Sequence, residues 1–312
     1  MKRFIIHFMN LLAIFIFINF ICYEFIIYPI FYKDYEEISY ELRSPNGQAH
    51  YNKFLLADSH GWRITHQNED VKDKLEENGI YNMSYGSDSY GDILVKLKWL
   101  LRHNIKIDTM FVTVDDHMLT KKTNNSNRSL IYSDLESHRE AYGIGTVKFY
   151  YFKLSRFLPI LYPSNQKLIK EYLIAQIFKR PGDLEEKIVW KDLNESRRNE
   201  KIKSKLELFF PGEEFRPNKK LEKNLEKIIE IAKRNKISIM GIKFPIDSIM
   251  TYRIKRMGAY DEVADFAKEK GVDSFVDFQE KYENVKYLSN QDHVNKLGAE
   301  KVSDDLIMKV KN

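Results

Sequence analysis

The chain has 312 residues, 43% of them hydrophobic and 13% aromatic, enough apolar material to bury a core without help from disulfides. Lys and Arg number 50 against 45 Asp and Glu, a formal net charge of +5 with the signs interspersed, and no concentrated basic stripe with interleaved aromatics points to nucleic acid. The single cysteine, Cys22, excludes a disulfide within the chain, and the thiol-free remainder is compatible with an oxidising compartment.

After Lys2 and Arg3 comes "FIIHFMNLLAIFIFINFICY", twenty residues from Phe4 to Tyr23 interrupted only by His7, Asn10 and Asn19. That length crosses a bilayer core of about 30 Å. Basic residues precede the run and the net acidic "YKDYEE" follows it, so the positive-inside rule places the N-terminus in the cytoplasm and everything after about Phe31 outside. A cleaved signal peptide is the competing reading, but no small-x-small cleavage site follows. Asn19, Phe20 and Ile21 are too bulky for a lipoprotein signal before Cys22. The expected organisation is therefore a cytoplasmic tip and transmembrane anchor over 1–31 and a polar linker over 32–52 carrying the turn-rich "SPNGQ". Residues 53–312 then form an extracytoplasmic domain, periplasmic or at the cell surface.

Within that domain apolar runs alternate with helical spacing. "KFLLA" (53–57) predicts a buried strand and residues 68–78 a helix; "GIYNMS" (79–84) predicts a second strand and 89–104 a second helix; "IDTMFVTV" (107–114) predicts a third strand. The pattern lapses over about 119–217, read as a helical insertion, and then returns. Helices are expected at 219–236, 260–271 and 295–310, and strands at 237–245 and 272–278. Five strands in this order predict an α/β fold, a doubly wound parallel sheet of flavodoxin-like type. The insertion contains "VKFYYFKLSRFLPILYP" (147–163), apolar, aromatic and basic. It fits core packing on the domain, a place on the membrane surface, or contact with a membrane-embedded partner.

In an open parallel sheet ligands gather beyond the carboxyl ends of the strands, and each polar cluster falls there: "DSH" (58–60), "SYGS" (84–87), "DDH" (115–117) and "SNQDH" (289–293). Asp58-x-His60-Gly61 looks like the opening motif of calcineurin-type metallophosphoesterases. The further ligand motifs of such sites, "GDxxD", "GNH" and "GHxH", are absent, so a metal-dependent phosphoesterase stands as a minor alternative.

The distal "DHVNKLGA" (292–299) resembles the "HLNxxGA" block that carries the base His in SGNH (GDSL-type) hydrolases, and "ADSH" (57–60) resembles that family's "GDSx" block with Ala for the first Gly. The resemblance implies an SGNH-like fold with Ser59 as nucleophile and His293 as base, and no metal or other cofactor. It places Gly86 and Asp115 where the family supplies oxyanion donors, although a carboxylate at 115 departs from the family's Asn and donates nothing unless protonated. Where the family has an orienting Asp three residues before the His, this chain has Asn290, and Asp292 adjoins His293. A Ser-His dyad helped by Asn290, a triad rerouted through Asp292, and a weakened enzyme all follow from these departures. His60 and His117 are read as supporting or substrate-facing residues.

Anchor, exported SGNH-like domain and insertion together are similar to the membrane-anchored proteins of alginate acetylation and of teichoic-acid D-alanyl transfer. What this implies is acyl transfer to a surface polysaccharide or ester hydrolysis through an acyl-serine, with a multi-pass membrane acyltransferase as a candidate partner. A non-catalytic accessory or carbohydrate-binding protein of the same fold is the alternative.

Overall fold

A computed structural model describes residues 1–44, 50–66, 68–120, 129–161, 166, 169–170, 173, 189–272 and 274–311. Five short strands, β1 (Lys53–Leu56), β2 (Ile80–Asn82), β3 (Thr109–Thr113), β4 (Ser238–Lys243) and β5 (Ser274–Asp277), form one sheet. Their spatial order is β2-β1-β3-β4-β5 and every neighbouring pair is parallel. This is the flavodoxin-like order the sequence predicts, and it puts the topological switch between β1 and β3.

The described helices are, in chain order, α1 (Lys2–Cys22), α2 (Lys33–Arg43), α3 (Ser59–Thr65), α4 (Glu69–Glu77), α5 (Tyr90–Arg102), α6 (Leu135–Tyr142), α7 (Thr146–Phe157), α8 (Glu195–Phe209), α9 (Lys219–Arg234), α10 (Ser248–Arg256), α11 (Glu262–Glu269) and α12 (Lys296–Lys311). By contacts the chain divides into two compact units, one of Leu42–Asn125 with Ile188–Asn312 and the other of Met1–Glu41 with Ser126–Lys187.

The first unit holds the sheet. Strand side chains alternate in direction, so in-register Leu55 and Phe111 share a face with Ile242 and Val276. On that face they join one buried cluster with Ile64 of α3, Val71 and Leu75 of α4, and Ala299, Val302 and Leu306 of α12. Phe54, Leu56, Met110 and Val112 are buried on the other face, where α5 and α9 pack against each other. Asn218 caps α9 by accepting from Lys220 N at 3.0 Å, and Ser89 and Asp92 close a capping box on α5.

Residues 189–217, expected to belong to the insertion, are part of this unit. α8 carries Ile202, Leu206 and Phe209 at helical spacing, and these join Trp190, Leu193 and Phe210 in the sheet's core. α3 is a helix that the sequence reading, which places its first helix after β1 at 68–78, does not expect. Only Ala57 and Asp58 separate β1 from this helix, and the Asp58 carboxylate caps it by accepting from His60 N at 3.0 Å.

The second unit begins with α1, which continues through π-helical turns (Tyr23–Tyr32) into α2. The polar linker is thus helical up to Arg43, while residues 45–49, which hold most of "SPNGQ", lie outside the described residues. Over Phe4 to Phe20 the large apolar side chains are mostly exposed. Asn19, the polar break in that run, is buried; its side chain donates to Phe15 O at 2.9 Å and accepts from Ile160 N at 3.1 Å. A small core of Cys22, Tyr23, Ile26, Ile27 and Ile169 lies beside it, with Tyr28 and Ile160 packed on it.

Close packing of α3 on β1 depends on Gly61. A Cβ there would lie 2.6 Å from Ala57 Cβ and 2.6 Å from Ser84 Oγ, and Ser84 Oγ is held by the Ala57 N–H at 3.0 Å. Gly61→Ala should destabilise the protein by about 1–3 kcal/mol in denaturant titrations. Gly86→Ala, where an added Cβ meets nothing within 4 Å, is the control expected to change stability by less than about 0.5 kcal/mol.

Candidate active site

The strand order brings four of the polar segments to one end of the sheet. α3 starts three residues after the end of β1, "DDH" follows β3, and α12, which packs against α3 and α4, begins three residues after His293. Ser59 is the first residue of α3 and half-buried; among the described residues its hydroxyl has no hydrogen-bond partner.

His60 sits at the centre, buried among carboxylates. Its Nδ1 donates to Asp115 Oδ2 at 2.6 Å and lies 3.7 Å from Asp58 Oδ1, while Nε2 is 3.4 Å from Asp292 Oδ2. Burial alone would drive the proton off this imidazole, but Asp58 and Asp115, followed by Asp292, outweigh it and push His60 up to about 10. At neutral pH it is an imidazolium clamped between acids. His117 also meets a carboxylate, its Nε2 lying 3.0 Å from Asp58 Oδ2, and its ring stacks on Phe209 of α8. Both rings are buried, so they support the site and do not face solvent.

The base expected from the sequence has the opposite character. His293 Nδ1 donates to Asn290 Oδ1 at 3.1 Å and lies 3.2 Å from Asp292 Oδ1. The second contact is poorly aligned and leaves Asp292 Oδ1 without a hydrogen bond. Asn290 is therefore the hydrogen-bond acceptor of this ring and Asp292 the neighbouring charge. Burial lowers His293 below its ordinary 6.5, His60 and Lys205 act in the same direction, and Asp292 opposes them. The ring is neutral at pH 7, and its Nε2 is buried with no hydrogen-bond partner among the described residues.

Burial also opposes ionisation of Asp292, but His293 and His60 hold its carboxyl well below the usual range. With His293 neutral, the lasting charge partners of Asp292 are His60 and Lys205, whose Nζ is 2.7 Å from Asp292 Oδ2. Asp115, expected at an oxyanion position, acts as an acceptor on both oxygens. Oδ2 takes Thr113 Oγ1 at 3.0 Å as well as His60, and Oδ1 takes Phe244 N at 2.7 Å. Gly86 lies in the turn after β2, which the buried Lys96 fixes by bonding to Asp88 and to Met83 O.

Asp116 marks the other edge. Lys243 Nζ and Asp261 N both reach its Oδ1, at 3.1 and 2.9 Å, and Oδ2 is buried without a hydrogen bond. Burial raises this carboxyl to about 7, with Lys243 pulling against it. Asp116 borders a cavity of about 10 Å³ shared with His60, Asp115, His117 and Gln279, the room a single water needs.

Two sets of ligand atoms are close enough to hold a metal ion, Asp58 with His60 and His117, and His60 with Asp292 and His293. Each set includes His60, whose Nδ1 is engaged by Asp115, and Asp292 carries the Lys205 ammonium. A metal in either set would have to take the place of the His60 proton, and in the second set it would also have to displace Lys205. Lys205 and Phe209 reach the site from the stretch where strand periodicity lapses, and only the 202/206/209 apolar spacing of α8 signals that this helix packs inward.

No family model matches the chain, and no curated protein matches it. Among solved structures it is similar to a proposed acylhydrolase of Bacteroides fragilis NCTC 9343, at 12% identity and TM-score 0.41 over 90% of this chain and 97% of that one. It is also similar to a GDSL-like lipase of Bacteroides thetaiotaomicron VPI-5482, at 11% identity and TM-score 0.41 over 89% and 98%. Identity this low carries no site residue from one chain to the other.

The raised pKa of His60 fixes the sign of an alkaline instability. A group that keeps its proton in the folded state contributes fully below its unfolded value of about 6.5 and loses that contribution as pH rises toward the folded value. Stability should therefore fall between about pH 6.5 and 10 with a slope of up to ~1.4 kcal/mol per pH unit. His60→Gln should be less stable at pH 6 and lack this slope when melts are followed by circular dichroism.

Proposed function

We propose that the chain is a membrane-anchored serine O-acyltransferase or esterase of SGNH type, acting on a polysaccharide of the cell envelope. The observation that supports it most is the state of His293, a neutral ring with Nδ1 tied down and Nε2 without a hydrogen bond, at the same end of the sheet as Ser59. Apo sites commonly hold nucleophile and base apart until substrate closes the gap, so an unbonded Ser59 hydroxyl is compatible with the role.

In the proposed cycle Ser59 Oγ attacks an ester carbonyl carbon while its proton passes to His293 Nε2. The tetrahedral intermediate collapses, the C–O bond to the departing alkoxide breaks, and that oxygen takes the proton from His293. A sugar hydroxyl or water then gives its proton to His293, attacks the acyl carbon, and releases Ser59, which regains a proton. Transfer to the sugar is O-acetylation, and transfer to water is hydrolysis. Asn290 keeps the imidazole in the tautomer with Nε2 free, and Asp292 stabilises the transient imidazolium. Asp115, an acceptor on both oxygens, is assigned to holding His60, which leaves Gly86 as the remaining oxyanion candidate.

The exposed apolar surface of α1 supports a membrane-inserted segment; the reading of it as an uncleaved anchor, N-terminus in the cytoplasm and the sheet outside, rests on the missing cleavage site and the charge asymmetry of the sequence. The acceptor is then a surface glycan, and a multi-pass membrane acyltransferase is the proposed acyl source. A metal-assisted reading keeps one point in its favour, the proximity of Asp58, His60 and His117.

Incubating the full-length protein with an alkyl fluorophosphonate tests the serine reading. Mass spectrometry should find the adduct on Ser59 and none in Ser59→Ala, and His293→Ala should slow labelling by about 10³-fold or more. The labelling rate should rise with pH through a midpoint below 6.5, as the depressed His293 requires. A folded protein that takes no label favours the non-catalytic accessory, and hydrolysis abolished by chelator favours the metal reading.

A further inference from the structure

The aromatic stretch left open by the sequence forms α7, and its exposed residues are not scattered. Val147, Tyr150, Tyr151 and Leu154 follow the i, i+3, i+4, i+7 spacing of a single helix face. Val147 is 85% exposed, Tyr150 59% and Leu154 54%, whereas Phe149 and Phe152 are buried at 3% and 5%. Core packing therefore accounts for one side of α7 and leaves a second apolar stripe directed outward.

What lies next to that stripe follows from contacts inside the same unit. Three residues past the end of α7, Ile160 N–H donates to Asn19 Oδ1, and Ile160 packs on the cluster of Cys22, Tyr23, Ile26 and Ile27. If this helix crosses the bilayer with Lys2 and Arg3 at the inner boundary, Asn19 lies about 24 Å along it, in the outer part of a core about 30 Å thick. The chain after α7 thus touches the span in its outer half. The helix has no acidic residue, and Lys148 and Lys153 flank the stripe, each with Nζ over a ring, Phe152 and Phe149, at 5.6 and 5.4 Å. Lysines beside exposed tyrosines and aliphatics suit a boundary where stems meet acyl chains and ammoniums meet phosphates.

We propose that α7 lies on the outer surface of the bilayer, its Val147/Tyr150/Leu154 face inserted among the lipid headgroups and its lysines on their phosphates. It would form a second, monotopic contact beside the anchor. The inference rests on the anchor reading in the preceding subsection, and the two fail in distinguishable ways.

The test uses the full-length protein in phosphatidylcholine/phosphatidylglycerol vesicles, with Cys22→Ser and a single environment-sensitive dye on Tyr150→Cys, on Leu154→Cys, or, as control, on Lys223→Cys of α9. Dye at 150 and 154 should shift to the blue and lose roughly half its emission to shallow nitroxide lipids, a loss the control does not show. Protein that fails to float with vesicles after alkaline carbonate washing refutes the anchor itself. Protein that floats while 150 and 154 stay open to aqueous iodide and unquenched by lipid overturns the proposal. Protection from both quenchers also overturns it, because a protein partner then covers the stripe.

Discussion

A single buried positive charge, the His60 imidazolium between Asp115 and Asp292, is the constraint on which the site depends. Asp58, Asp115, Asp116 and Asp292 are all at most 4% exposed, and carboxylates at that depth survive ionised only with charge partners or donors. His60 serves Asp115 and Asp292 from its two nitrogens, Lys205 completes Asp292, Lys243 reaches Asp116, and His117 reaches Asp58. Removing the central cation would leave acids facing one another in a low-dielectric interior, so the network is also a stability element.

The same charge explains why two histidines 5.2 Å apart, centroid to centroid, behave differently. Two imidazoliums at that distance repel, and the acids have settled the proton on His60 because Asp58, Asp115 and Asp292 surround it. His293, with burial against it and Asn290 as its hydrogen-bond acceptor, is left as a base. Asn290 accepts from this ring while Asp292 adds its charge beside it, so hydrogen bond and charge reach His293 from two different residues.

Strand positions were legible because each apolar run from "KFLLA" to "VDSFVDF" is short and bounded by polar residues, and the alternation with amphipathic helices made a parallel sheet legible. Convergence of "DSH", "DDH" and "SNQDH" followed from the sheet order alone. The partners of those residues were not legible. Whether Asp115 donates or accepts depends on Thr113 Oγ1, Phe244 N and His60, which meet only when β3 and β4 pair. Lys205 comes from a helix whose charged sequence, "ESRRNEKIKSKLELF", looks like solvated surface. Asn19 looked like a blemish in the apolar run, and its partner, Ile160, is 141 positions away.

¹⁵N shifts of the histidine side chains at pH 7 to 8 test most directly which of His60 and His293 carries the charge. Predicted are imidazolium values at both nitrogens of His60, and for His293 a protonated Nδ1 with an Nε2 carrying a lone pair. A neutral His60 with a charged His293 would contradict the account, since it would remove both the clamp on the acids and the base for Ser59.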